Sequence, residues 1–131
     1  MDNLYDILNI KKNNVEMIIQ EAIKLTRSEL VNLVNERTCL IYTSYLYQNL
    51  RDQNILCYIV DTMEDLEKEF QHRFIVIPKD IESNYILDLT INQFGSNQLF
   101  KEMESFGYQL LNREQYALYI EYVSGNKGRI R

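Results

Sequence analysis

Two cysteines and a single histidine are the residues of this 131-residue chain best suited to nucleophilic chemistry near neutral pH. Hydrolysis through a thiol needs a thiolate, a base that takes and returns the proton, and a group that fixes the tautomer of the base. Cys39, His72 and Asp88 supply those residue types in that order, each in a separate segment. Cys39 falls near the start of an expected helix, where first-turn N–H groups depress a thiol pKa and can hold an oxyanion. The plain alternative for Cys39 is an inert core cysteine. Cys57, inside the apolar run Ile55-Leu56-Cys57-Tyr58-Ile59-Val60, is expected to be of that inert kind. His72 is the default neutral-pH base, although a lone histidine at a strand edge is commonly just a solvated polar residue. Asp88 lies within Tyr85-Ile86-Leu87-Asp88-Leu89-Thr90, where an ionised carboxylate is costly to bury unless paired. Its alternative is a strand-end aspartate bonded to a loop.

The elements that must position these residues read as helices first and an antiparallel sheet later, an α+β arrangement. Residues 2–9 form a short amphipathic helix in this reading. A second helix starts near Asn13 or Asn14 and carries Val15, Ile18, Ile19, Ala22, Ile23 and Leu25. Ser28-Glu29 restarts a turn with Leu30, Leu33 and Val34, and a third helix spans 38–52. The period then changes. Residues 55–60 read as a buried strand, Thr62 with Asp65 as the capping box of an acidic helix, and His72–Ile77 with Tyr85–Ile91 as a hairpin. Ser96 is the expected cap of a helix ending near Gly107, and Asn112 that of a last helix with Tyr116, Tyr119, Ile120 and Val123. Centring the hairpin on Asp80 pairs residues whose numbers sum to 160 and sets His72 directly opposite Asp88, on one face. A slip of one residue would part them.

Thr38-Cys39 opening a helix, His72-Arg73-Phe74-Ile75-Val76-Ile77, and Asp88-Leu89-Thr90-Ile91-Asn92-Gln93-Phe94 together resemble the papain-like/transglutaminase-like cysteine superfamily. The nearest likeness is to small bacterial papain-fold peptidases and glutamine deamidases. It covers roughly residues 38–94, and the Asp-x-Thr-x-x-Gln-Phe stretch is its most specific part. The resemblance implies a papain-like fold, Cys39 as nucleophile, His72 as base and acid, Asp88 as orienter, and a protein or peptide substrate. It implies no cofactor. Two family features are missing: residues 31–36 hold no glutamine for an oxyanion hole, leaving Asn32 or Asn35 as substitutes, and the chain has no tryptophan. Gln93 matches the pattern and is expected to bond backbone behind Asp88 rather than to react.

Composition narrows the function classes. A net charge of -5 and a pI near 4.9 lack the basic footprint that nucleic acid demands. No apolar run reaches the roughly 18 residues that span a bilayer. The N-terminus lacks the pattern of a secretory signal, so a cytoplasmic protein with both cysteines as thiols is expected. One histidine and scattered carboxylates do not make a zinc site. The chain reads as a single domain over 1–124 with a flexible tail at 125–131; its oligomeric state is open. Two further readings stay in view: a transglutaminase-like acyl transferase, which would use the same triad, and a non-catalytic protein-binding or immunity-type protein, for which ten tyrosines would suit an interface.

Overall fold

The computed structural model describes residues 4–31 and 38–125, with only the backbone described at 4–14 and at Thr38. The chain is α+β: two N-terminal helices, a four-stranded antiparallel sheet, and helices towards the C-terminus. The helices are α1 (Leu4–Glu29), α2 (Thr38–Asp52), α3 (Lys101–Phe106) and α4 (Arg113–Ser124); the strands are β1 (Tyr58–Asp61), β2 (Arg73–Pro78), β3 (Ser83–Leu87) and β4 (Tyr108–Asn112). The sheet order follows the chain, β1-β2-β3-β4.

Phe74–Ile77 of β2 and Tyr85–Leu87 of β3 are apolar and buried at every position because both faces of the sheet are covered. On one face Ile75, Ile77, Tyr85 and Leu87 pack with Ile19, Ala22 and Ile23 of α1 and Leu46 and Leu50 of α2. On the other, Phe74, Val76 and Ile86 pack with Phe100, Met103 and with Tyr119, Ile120 and Val123 of α4. The sheet is thus the middle layer between two helical layers, and each strand contributes alternate residues to two cores.

Several local expectations are corrected. The two N-terminal helices form one, because no breaker interrupts residues 10–14. Tyr85–Ile91 is cut short: the strand ends at Leu87 and the chain tightens into a helical turn over Ile91–Phe94. The acidic segment after Thr62 forms turns rather than a helix. Its cap lies one residue earlier, with Asp61 Oδ1 accepting from the amides of Met63 and Glu64, and Asp65 Oδ2 accepting from the Asp61 amide. Asn97, not Ser96, caps the turn leading into α3, accepting from the Leu99 amide. β4 was not expected at all; its five residues, Tyr108–Asn112, are too few for a periodic signal to stand out. Asn112 does cap α4, in a full capping box with Gln115. Leu33, Val34, Asn32, Asn35 and the tail from 126 onward lie outside the described residues.

Candidate active site

His72 and Asp88 stand just beyond the ends of β2 and β3. The observed pairs, Ile75 with Leu87 and Val76 with Ile86, sum to 162. The hairpin is therefore shifted by two residues from the register centred on Asp80, and His72 is diagonal to Asp88 rather than opposite it. A shift of two keeps both side chains on the same face. His72 Nε2 lies 2.8 Å from Asp88 Oδ2, with both side chains 1% exposed.

The carboxylate is fully engaged. Oδ2 also accepts from the Tyr119 hydroxyl at 2.6 Å, and Oδ1 accepts from the Thr90 amide at 3.0 Å and the Thr90 hydroxyl at 3.3 Å. The Asp88 amide donates to the carbonyl of Gly107 at 2.9 Å, which ties the aspartate to the start of β4. Gly107 holds φ at +86°, a conformation that favours glycine. Gln93 bonds the Thr90 hydroxyl, not the backbone behind Asp88 as expected. The His72 ring meets Phe94 edge to face at 4.8 Å, and the His72 backbone is clamped to Thr62 through the threonine amide and hydroxyl.

Cys39 is the second residue of α2 and is partly exposed. The His72 ring and the Arg73 backbone both act on its thiol, drawing its pKa down. The end of β3 explains how the helix gains a hold here. The carbonyl of His72 points to β1, where it accepts from Thr62, so the amide and carbonyl of Arg73 point the other way. Strand β3 has already left that side at Leu87, so the groups have no ladder partner there. α2 covers them there: one helical turn after Cys39, the Thr43 hydroxyl donates to the carbonyl, 3.3 Å away. With Nε2 committed to Asp88, the remaining ring nitrogen available to the thiol is Nδ1.

The charges of the three groups reinforce one another. Burial alone would lower the His72 pKa, but the charge and hydrogen bond of Asp88, with a smaller part from Cys39, raise it to about 9. Burial would raise the Cys39 pKa; the His72 ring and the Arg73 amide outweigh it and hold the thiol below its ordinary value. Burial would likewise raise Asp88, yet His72, Tyr119 and the Thr90 amide hold it low. Tyr119 is pushed well above the ordinary phenol value, first by burial and then by the Asp88 charge, so it is a fixed donor. The arrangement favours an imidazolium beside an ionised Asp88 and makes the Cys39 thiol easier to ionise. Cys57 is a different kind of thiol, buried among apolar side chains that raise its pKa.

Sequence reasoning missed Tyr119. The available signal was a phenol on the buried face of α4, which needs a partner for its hydroxyl, and a buried aspartate elsewhere that needs donors. It also missed the buried Asp61, whose oxygens accept from Met63, Glu64, Gln71 and the Arg73 guanidinium. Among the described residues no group of three or more His, Cys, Asp or Glu side chains is gathered to hold a metal ion, and no helix is long and apolar enough to cross a membrane. No family model matches the chain, and neither a curated protein nor a solved structure matches it.

Proposed function

We propose that the chain is a papain-like cysteine hydrolase that attacks an amide through a thioester, as a peptidase or a protein glutamine deamidase. What supports this reading is an imidazole whose Nε2 is fixed 2.8 Å from a buried carboxylate and whose charge lowers the pKa of the Cys39 thiol. The Cys39 thiolate attacks the amide carbonyl carbon and forms a tetrahedral oxyanion, for which first-turn N–H groups of α2 would be the donors. The His72 imidazolium gives its proton to the departing amine, or to ammonia in a deamidase, leaving a thioester on Cys39. Water then loses a proton to neutral His72 as it attacks the thioester, releasing the acid and restoring the thiolate–imidazolium pair. Asp88 stays ionised and holds the ring so that Nδ1 faces the sulfur throughout.

The experiment is to incubate wild-type and Cys39→Ala protein with a proteome-derived peptide mixture. Mass spectrometry reads new peptide termini and glutamine-to-glutamate conversion, and hydroxylamine traps the thioester as a hydroxamate. Products that vanish with Cys39→Ala support the hydrolase. Full biological activity in the Cys39→Ala protein leaves the chain a binding protein. Capture by added amines in place of water marks the acyl-transferase variant of the same chemistry.

A further inference from the structure

We propose that the outer edge of β4 is a self-association surface, where a second copy of this chain lays its own β4 antiparallel to the first and joins the two sheets into one. The inference stands apart from the hydrolase reading and needs nothing from Cys39.

The backbone comes first. β4 is the last strand of the sheet and pairs with β3 on one side only. The Asp88 amide bonds the Gly107 carbonyl, so in the alternation of an antiparallel ladder Gln109 and Leu111 turn their backbone groups to β3, while Tyr108 and Leu110 turn theirs outward. Among the described residues no group pairs with the outward N–H and C=O of Tyr108 and Leu110. The opposite edge of the sheet is closed at Asp61, where Asp65 accepts from the Asp61 amide through its carboxylate and donates its own amide to the Asp61 carbonyl. Charges and proline are common guards of an exposed edge, and Tyr108-Gln109-Leu110-Leu111-Asn112 has neither. A two-fold axis through Gln109 lets Tyr108 exchange its N–H and C=O with Leu110 of the partner subunit, and the reverse.

The side chains choose the occupant. Leu110 pairs with Tyr85 and so shares the face that α1 covers. α1 runs antiparallel to β4 there: Ile23 and Arg27 lie beside Gly107, Gln20 donates to the Tyr108 hydroxyl, and Glu16 lines a cavity of about 300 Å³ with Leu110. Glu102 of α3 lines the same cavity. An adjoining cavity of about 260 Å³, which shares Gln20 and Phe106 with the first, is lined by Lys24 and Arg27. The edge therefore has a negative end and a positive end on either side of Gln20, and none of these charges has a salt bridge among the described residues. The two-fold axis reverses the order and sets the negative end of each copy against the positive end of the other. A partner of uniform charge would meet only one favourable end. Phe106, 59% exposed, and Leu110, 36% exposed, supply apolar surface that leaves water in the pair.

The test is sedimentation equilibrium of the full chain across a concentration series, with amide hydrogen exchange read by NMR. The expected result is a concentration-dependent species of twice the 15.7 kDa chain mass. In it the Tyr108 and Leu110 amides should exchange more slowly than in the dilute monomer, while Gln109 and Leu111 are protected in both. Leu110→Lys places an ammonium group on the edge and should leave a folded monomer. Glu16→Lys and Lys24→Glu should each weaken the dimer about tenfold, and the double reversal should restore it, because each end then meets its complement again. These reversals lie on the helix surface and decide the matter if Leu110→Lys does not fold. A monomer at every concentration overturns the surface. So does a dimer indifferent to all of these variants, which would be built on another face. Slow Tyr108 and Leu110 exchange in a protein that sediments as a monomer would mean that the edge is covered from within the chain, and overturns the second copy too.

Discussion

The Tyr119 hydroxyl donates to the same oxygen of Asp88 that His72 holds, at 2.6 Å, from the helix on the far side of the sheet from α2. This bond lets a buried carboxylate stay charged, because every lone pair facing the protein has a donor. Tyr119→Phe keeps the ring packing and removes one charge-assisted bond. The expected loss of stability is about 1.5–3 kcal/mol, measured by urea denaturation. A variant as stable as wild type would show that the phenol carries no weight in the pair.

Asp88→Asn tests the electrostatic chain from carboxylate to thiol. An amide cannot stabilise the imidazolium, so His72 should fall from about 9 towards its ordinary value and the Cys39 pKa should rise. Alkylation of Cys39 at pH 6 should slow by roughly tenfold for each unit of that rise. Asp88→Ala should cost about 3–5 kcal/mol, because it leaves a buried imidazole without its partner. Cys39→Ala, at the partly exposed start of a helix, should stay within about 1 kcal/mol of wild type.

Stability should depend on pH at both ends. His72 has its pKa raised in the folded state, so its contribution is complete below about 6.5 and is lost as pH rises through about 9. Asp88 has its pKa lowered, so its contribution is complete above about 4 and is lost as pH falls through the folded value. Denaturation midpoints read across both flanks should be highest between about pH 4 and about pH 6.5, and Asp88→Asn should flatten both flanks. Unchanged flanks in the variant would locate the pH dependence elsewhere.

The two thiols should separate cleanly. At pH 6, where a free thiol of pKa about 8.5 is almost wholly protonated, iodoacetamide should label Cys39 and leave Cys57 intact until the protein unfolds. Peptide mapping of a time course reads this directly, and faster labelling of Cys57 reverses the assignment.

Gly107→Ala probes the backbone behind the aspartate. The positive φ costs a non-glycine residue roughly 1–2 kcal/mol, and the added Cβ would stand 2.5 Å from Leu89 Cδ2. Because the Gly107 carbonyl also holds the Asp88 amide, alkylation of Cys39 at pH 6 should slow along with the drop in melting temperature.

Much of this was legible in particular residues. An aspartate inside an apolar strand announced a buried partner, and the only histidine answered it. Thr38-Cys39 marked a helix start that the structure keeps at Thr38. The register was not legible to better than two residues, because β2 and β3 are apolar on both faces and alternation cannot choose between pairings that preserve the face. Arg73 and Asp61 escaped notice because their pairing joins two strands whose relative register no local pattern fixes. The end of β3 was hidden as well: Leu89 and Ile91 continue its apolar alternation into a turn.

The three-layer arrangement has a consequence for how the site comes into being. Cys39 arrives on the helical layer of α1 and α2, while Asp88 is secured by Tyr119 from the opposite layer, and His72 sits at the end of the strand between them. On the proposed hydrolase reading, a chain with only one layer docked would hold a thiol without its base or a base without its thiol. Reactivity would then be a property of the finished tertiary structure, and a nascent or partly opened chain would carry two harmless halves.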